Sequence, residues 1–374
     1  MRLLHVTDVY TPQIGGIELF VRDLAARQAA AGHEVAVLTP TPNPYGDEVG
    51  PVEVFRAGPT RKVAAGRKIV LSGDWDVVHA HLSVLSPFSS LVGSAAAAVG
   101  VPLVNTVHSL WAGRTPVVRA AGAVAHWGTT PAVWTGVSGV AAEQMRAVLR
   151  DGTPVRVVPN AVDVAWWRAG LDEPGAAVDP TAVTIVSVMR LVARKRPLHL
   201  LRVLREVRRQ VPPEIALRAV IVGAGPLEPR LRQAAARWGL ADWVSLPGRL
   251  DREAIRALYR EADVYVAPAF QESFGIAALE ARAAGLPVVA MQSGGVGEFI
   301  QDGVEGRLCR DDQDLARVLA DLAADAFQRE VMTATNLASP PDFDWARALD
   351  GFASAYAEAM GTRRAIQRTG TERA

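Results

Sequence analysis

Short β-rich runs alternate with helix-length stretches along most of this chain, and that alternation constrains the fold more than any single motif does. In the first half, strand-like runs at residues 3–6, 34–38, 77–80, 103–107 and 134–137 accompany helical stretches at 18–31 and 87–99. In the second half, runs at 184–188, 219–222, 243–246 and 264–268 alternate with helical stretches at 197–210, 227–238 and 252–261, and a further helix follows at 276–284. Strands joined through helices predict βαβ units, and hence parallel sheets covered on both faces. The 374 residues are enough for two such domains. Residues 160–180 carry Asp163, Trp166, Trp167, Gly170, Pro174, Gly175 and Pro180, punctuation that predicts the linker. The expected division is therefore a domain over 1–164, a second over 165–344, and a final helix over 345–361. That helix has Trp345, Leu349, Phe352 and Tyr356 at helical spacing. The Arg-rich segment 362–374 is expected to be a disordered tail.

Composition removes several classes of function. The chain is 49% hydrophobic and 21% charged with a net charge of +1, which is globular and carries no nucleic-acid signal. A single cysteine, Cys309, excludes an intramolecular disulfide and predicts a reducing, cytoplasmic compartment. The opening run at 2–6 is a strand with Asp8 directly behind it, not a secretory leader. From Val77 to Gly113 there is no Asp, Glu, Lys or Arg, which is longer than a membrane span needs. Pro87, Gly93, Gly100 and Pro102 break that stretch, and His79, His81, Asn105 and His108 stand at its strand ends. It reads as strand, buried helix, turn and strand. The basic residues Arg61, Lys62, Arg67 and Lys68 scatter around a helical wheel, so any membrane contact is expected to be peripheral, at the inner face.

The groups able to do chemistry cluster after strands. Glu272 follows the run at 264–268, and the backbone of Phe274, Gly275 and Ile276 opens the next helix, where dipole and free N–H groups favour anionic or hydroxyl-rich ligands. Glu280 lies inside that helix among Ala278, Leu279 and Ala281; the two carboxylates, eight positions apart, can each accept from paired sugar hydroxyls. Arg190 and Lys195 follow the run at 184–188, with Arg194, Arg196 and Arg202 nearby. Arginine can grip two oxygens of a phosphate, while lysine acts as a point charge. Gly15 and Gly16 follow the first strand, where bare backbone lets a phosphate or sugar approach. His108 ends the run at 103–107, while His79 and His81 read as hydrogen-bonded strand-end histidines. Gly223 and Gly225 imitate a dinucleotide loop, yet Pro226 and a missing third glycine spoil the fingerprint. Asp74-Trp75-Asp76 precedes a strand and reads as a turn, and no carboxylate cluster suggests a metal. Taken singly, each of these features also has a purely structural reading.

The run from Gln271 to Ala281, with Gly285-Leu286-Pro287-Val288-Val289-Ala290 and Ser293-Gly294-Gly295 behind it, resembles the E-x7-E motif of retaining GT-B glycosyltransferases of family 4. The resemblance covers nearly the whole chain and extends to bacterial mannosyl- and N-acetylglucosaminyltransferases acting on inositol or lipid acceptors. It implies two doubly wound Rossmann-like α/β domains facing across a cleft, with the last helix returning to the N-terminal domain. It implies that Glu272 contacts the donor sugar and Glu280 the nucleotide ribose, and that Arg190 and Lys195 are the R-x4-K pair on the diphosphate. By the same resemblance, Gly15 and Gly16 form the glycine loop and His108 touches the donor sugar. Gly223 would shape the nucleotide pocket, and the backbone of Pro247, Gly248 and Arg249 would read the base. The implied activity is metal-independent, cofactor-free, retaining transfer of a hexose from a UDP- or GDP-sugar to a small-molecule, glycan or lipid acceptor, by front-face substitution with no covalent nucleophile.

On the acceptor side, Asp8, Tyr10 and Pro12 lie beside the glycine loop. Between Val77 and Ala142 the only charges are Arg114 and Arg119, with Trp111, Trp127 and Trp134 in or beside that span. These tryptophans are either core or a stacking surface for a sugar or apolar acceptor. So few charges favour a neutral or singly anionic acceptor, with Arg114 and Arg119 sharing one phosphate. Two other classes stay open: an NAD-dependent oxidoreductase using Gly223 and Gly225, and a GT-B protein with another task, such as an epimerase or a binding relic.

Overall fold

The βαβ alternation closes into two parallel sheets, one in each of two units of the computed structural model, which describes residues 1–13, 15–47, 49–58, 60–111, 113–149, 152–170 and 182–371. The first unit comprises Met1–Ala161 with Trp345–Ala374, and the second Val162–Asp344. Ile14 of the glycine loop and the linker residues Pro174, Gly175 and Pro180 lie outside the described residues.

The first unit holds seven strands: β1 (Arg2–Thr7), β2 (Glu34–Thr39), β3 (Val52–Arg56), β4 (Val77–Leu82), β5 (Leu103–Val107), β6 (Val133–Gly136) and β7 (Val155–Val157). Their order across the sheet is β3-β2-β1-β4-β5-β6-β7, so the direction of winding reverses between β1 and β4. All the pairs are parallel, and β1, β4 and β5 are buried along almost their whole length. That burial on both faces is why these strands are continuous apolar runs rather than alternating ones. β3 and β7 were not expected; both are edge strands, and Glu53 and Arg56 interrupt the apolar pattern of β3. The charge-free stretch gives β4, the helix Pro87–Ala98 and β5, and no helix among the described residues is long and apolar enough to cross a membrane.

The terminal helix, Trp345–Thr371, belongs to this first unit and lies against β4, β5 and β6. It buries Trp345, Ala348, Phe352, Tyr356 and Ala359, one stripe at i, i+3 and i+4 spacing. Burying a side chain the size of Phe352 stabilises by roughly 1.5–3 kcal/mol. Of the tail expected at 362–374, the backbone as far as Thr371 is helical and continues the terminal helix, and residues 372–374 lie outside the described residues.

The second unit holds β8 (Ala182–Val188), β9 (Ala216–Val222), β10 (Val244–Gly248), β11 (Val264–Ala267), β12 (Val288–Met291) and β13 (Gly306–Cys309). The order β10-β9-β8-β11-β12-β13 repeats the logic of the first sheet, with the reversal between β8 and β11. In such open sheets ligands bind beyond the carboxyl ends of the strands at the reversal. The core packs Ile185, Leu200, Leu204, Ile221, Val266 and Leu319 against one another. Cys309 is buried in it, and desolvation pushes its thiol up to about 12, so it is inert.

Candidate functional site

In the second unit, the loops after β8 and β11 carry the groups singled out from the sequence. Lys195 lies in the 3-10 turn Ala193–Lys195, and its Nζ donates to Glu272 Oε2 at 2.5 Å. Both side chains keep some exposure, 21% for Lys195 and 14% for Glu272. The strand order at the reversal explains their meeting, since β8 and β11 are neighbours in space although Lys195 and Glu272 are far apart in sequence. Glu272 is held from behind by its own backbone: the Gly295 amide donates to the Glu272 carbonyl at 2.8 Å. A Cβ on Gly295 would come within 2.4 Å of the Ser273 carbonyl, so only bare backbone fits there. Phe274 is fully buried against Phe299 and Phe343, which pins the loop and leaves its backbone at the start of the helix Ile276–Ala283. Glu280 is half-buried on that helix, 3.8 Å from Arg252, whose guanidinium lies over the rings of Trp166 and Trp167.

Arg190 is exposed after β8; its carbonyl accepts from Val192 N at 2.8 Å, while its guanidinium makes no hydrogen bond or ion pair among the described residues. Its loop is laced to the ends of the two strands beside it: Met189 N donates to Val222 O, Leu191 N to Ala224 O, and Gly223 N to Gly248 O. Gly223 has φ +141°, and a Cβ there would sit 1.8 Å from the Met189 carbonyl. The glycine therefore serves the close approach of the Arg190 loop, as a turn that L side chains cannot follow. Pro247 and Gly248 end β10 beside it, and Arg249 is exposed just after. Of the neighbouring cations, Arg196 is structural: it donates to both oxygens of Asp312 and to Pro268 O, and lies 4.1 Å from the Phe270 ring. Arg202 lies over the Trp238 ring. Tyr265 and Tyr259 are buried below the two glutamates, and burial pushes both phenols up, with the nearby carboxylate charges adding to the shift. Cations beside a carboxylate can exchange that carboxylate for an incoming phosphate, which is the chemistry a diphosphate leaving group needs.

The first unit presents a different arrangement. His108 follows β5, is 6% exposed, and sets its ring edge-on to Phe20. Its Nε2 lies 3.0 Å from His81 Nδ1, and His81 Nε2 lies 3.0 Å from His5 Nδ1. His5 Nε2 meets Gln28 Oε1 at 2.7 Å, and His79 bridges Tyr356 Oη and Thr106 Oγ1. Burial lowers His5 to about 4 and His108 to about 3, and drives His79 and His81 well below the usual range. All four rings are thus neutral at pH 7. Nitrogens of His5, His79 and His81 lie within 4.8 Å of one another, a spacing a metal could use, but all six of their ring nitrogens already have protein partners. Sequence reading treated these histidines separately; the pairing of β1 with β4 is what brings them together.

The residues read as facing an acceptor divide in two. Trp111 and Trp134 are core, 4% and 2% exposed, and Trp127 packs edge-on against Trp134. The stacking surface expected of Trp111 is therefore corrected, because the covered sheet consumes the charge-free stretch as packing. Tyr10 is also buried, with its amide on Thr41 Oγ1. Asp8 caps the helix Pro87–Ala98, accepting from the amides of Phe88 and Ser89 and from the Ser89 hydroxyl. Arg119 is exposed but donates to Ala147 O at 2.6 Å; Arg114 is exposed at the start of the helix Thr115–Val124. Gly15 caps the helix Gly16–Ala30.

Residues 14–166 match the family model described as Glycosyltransferase Family 4, and residues 173–336 match that described as Glycosyl transferases group 1. The chain is 30% identical to the D-inositol 3-phosphate glycosyltransferase of Saccharomonospora viridis, over 95% of this chain and 91% of that one. It is also 30% identical to the glycogen synthase of Mycobacterium tuberculosis, over 98% and 97% of the two chains. Among solved structures it resembles Anabaena HepE in complex with UDP-glucose, with a TM-score of 0.74 and 22% identity over 96% of this chain and all of that one.

Proposed function

The chain belongs to the family 4 glycosyltransferases and has their GT-B fold of Rossmann-like α/β domains; from that premise we propose that it is a retaining, metal-independent hexosyltransferase using a UDP- or GDP-sugar as donor. The observation that carries this reading is the Lys195–Glu272 pair on the two loops flanking the strand reversal of the second sheet. Lys195 and the unpaired Arg190 take the diphosphate, whose charge grows as the glycosidic bond breaks. Glu272, released from Lys195, accepts from sugar hydroxyls, and Glu280 does the same for the ribose. The backbone around Phe274, Gly275 and Ile276 offers helix N-terminal amides to the anion. Gly223, Pro247, Gly248 and Arg249 line the nucleoside, Gly15 and Gly16 leave room for ligand, and His108 meets a sugar hydroxyl.

The acceptor is a neutral or singly anionic molecule with a reactive hydroxyl. Glycogen, in the name of one relative, is neutral, whereas D-inositol 3-phosphate, in the name of the other, carries one phosphate monoester of charge about −1.5 to −2 at pH 7 and so tests the upper limit of that class. Arg114 is the cation placed to meet a single phosphate, since Arg119 already serves Ala147. The test is to incubate the protein with UDP-glucose, UDP-N-acetylglucosamine or GDP-mannose and each acceptor, and to read the product's anomeric configuration by NMR. An α-product from an α-linked donor is expected. A β-product, or no turnover of any donor alongside tight NAD binding, overturns the reading.

A further inference from the structure

A continuous line of buried hydrogen bonds in the first unit runs from a backbone carbonyl to His108, and the carbonyl fixes its direction. The Asn105 carbonyl can only accept, so the Thr135 hydroxyl donates to it. Thr135 Oγ1 is then left to accept from Thr106, and Thr106 to accept from His79 Nε2–H. A neutral His79 protonated on Nε2 has a lone pair on Nδ1, which takes the Tyr356 hydroxyl proton. Tyr356 Oη accepts from the Gln28 amide nitrogen, which turns the Gln28 oxygen toward His5 Nε2–H. The same one-donor, one-acceptor rule carries the sense through His5 and His81 to His108, which must donate from Nε2. His5, Gln28, His79, His81 and Tyr356 are each at most 3% exposed, and both threonines are fully buried, so the line is shielded from bulk solvent.

We infer that Gln28, His5 and His81 are positioning residues that hold His108 as the Nε2–H tautomer, so that its Nδ1 lone pair accepts from a substrate hydroxyl and disfavours an anionic oxygen. Among the described residues Nδ1 has no partner of its own. The hydroxyl part of the inference rests on the reading of His108 as a sugar-binding residue; the tautomer part does not. The terminal helix joins this line of hydrogen bonds through Tyr356, while its Phe352 packs on the His79 ring, which makes the Tyr356 phenol the link between the helix's docking and the chemistry of His108.

The test uses the full chain with 15N-labelled histidine. Long-range 1H–15N spectra distinguish protonated from unprotonated ring nitrogens, and His5, His81 and His108 should all show Nε2–H with a bare Nδ1. Thr135→Val removes the donor to the carbonyl while keeping the shape, so Thr106 turns round to donate to His79 and every later step reverses. His108 should then populate Nδ1–H, and kcat/KM for the donor should fall by about two- to tenfold as the competent fraction drops. Thr135→Ser should restore both. Tyr356→Phe interrupts the line at a second point and should likewise mix the tautomers. Nδ1–H on His108 in the unaltered protein overturns the inference. So does a folded Thr135→Val or Tyr356→Phe variant that keeps pure Nε2–H, or Zn2+ captured by His5, His79 and His81. If His108→Ala retains the original kcat/KM, the sugar-binding reading falls instead, and the spectra still decide the tautomer.

Discussion

His108 and Lys195 both follow a strand of a parallel sheet, yet the two units surround them in opposite ways. His108 ends a line of neutral, buried donors and acceptors; Lys195 holds a single charged partner at the edge of solvent. A neutral line transmits orientation, because each group must donate on one side and accept on the other. A charge pair transmits affinity, because an incoming anion competes for the same ammonium. On the proposed function, the first unit recognises the direction of a hydroxyl, and the second binds and stabilises a phosphate.

That contrast is tested most severely by removing the charge. Lys195→Ala should lower kcat by roughly 10²–10³, the loss typical of one group that stabilises leaving-group charge, and steady-state kinetics with the preferred donor would show it. An unchanged kcat would move the diphosphate elsewhere. Next comes Gly223→Ala, which forces a side chain onto the Met189 carbonyl at positive φ. It should cost at least about 1–3 kcal/mol, read as a lower Tm, and should weaken nucleotide binding with it. Gly239→Ala is the control, since a Cβ there, also at positive φ, meets nothing within 4 Å.

Acid probes the neutral half. Burial holds folded His5 at about 4 and His108 at about 3, below the 6.5 of an exposed imidazole. The unfolded chain therefore takes up protons first as pH falls. The stability is intact above about pH 6.5, declines from there, and for these two groups is fully lost below about 4 and 3. The slope should approach about 1.4 kcal/mol per pH unit for each histidine. Urea unfolding at pH 7.5, 6 and 5 would measure it. A flat profile would contradict the neutral line, and His5→Gln should reduce the slope by about one proton.

Sequence periodicity located most of the strands and helices because buried parallel strands and their covering helices leave strong apolar signals. It passed over β3, where Glu53 and Arg56 disguise an edge strand, β7, which is three residues long, and β12 and β13, which are four residues each. Residue spacing pointed to Glu272 and Lys195, but not to their contact, which depends on β8 lying beside β11. The histidine line was hidden for the same reason. His5, His79 and His81 look unrelated until β1 and β4 are paired, and Gln28 and Tyr356 carry no motif at all. Trp111 misled because a charge-free stretch looks alike whether it lines a pocket or fills a core; here it fills the core, as the core reading of Trp134 has it too.

The division of labour between the units is measured most directly by isothermal titration of UDP, GDP and NAD into the unaltered protein, Lys195→Ala and His108→Gln. The account predicts that one nucleoside diphosphate binds, that Lys195→Ala weakens it at least tenfold (about 1.4 kcal/mol), and that His108→Gln leaves it unchanged. Equal weakening by both variants, or tight NAD binding in place of either diphosphate, would contradict it.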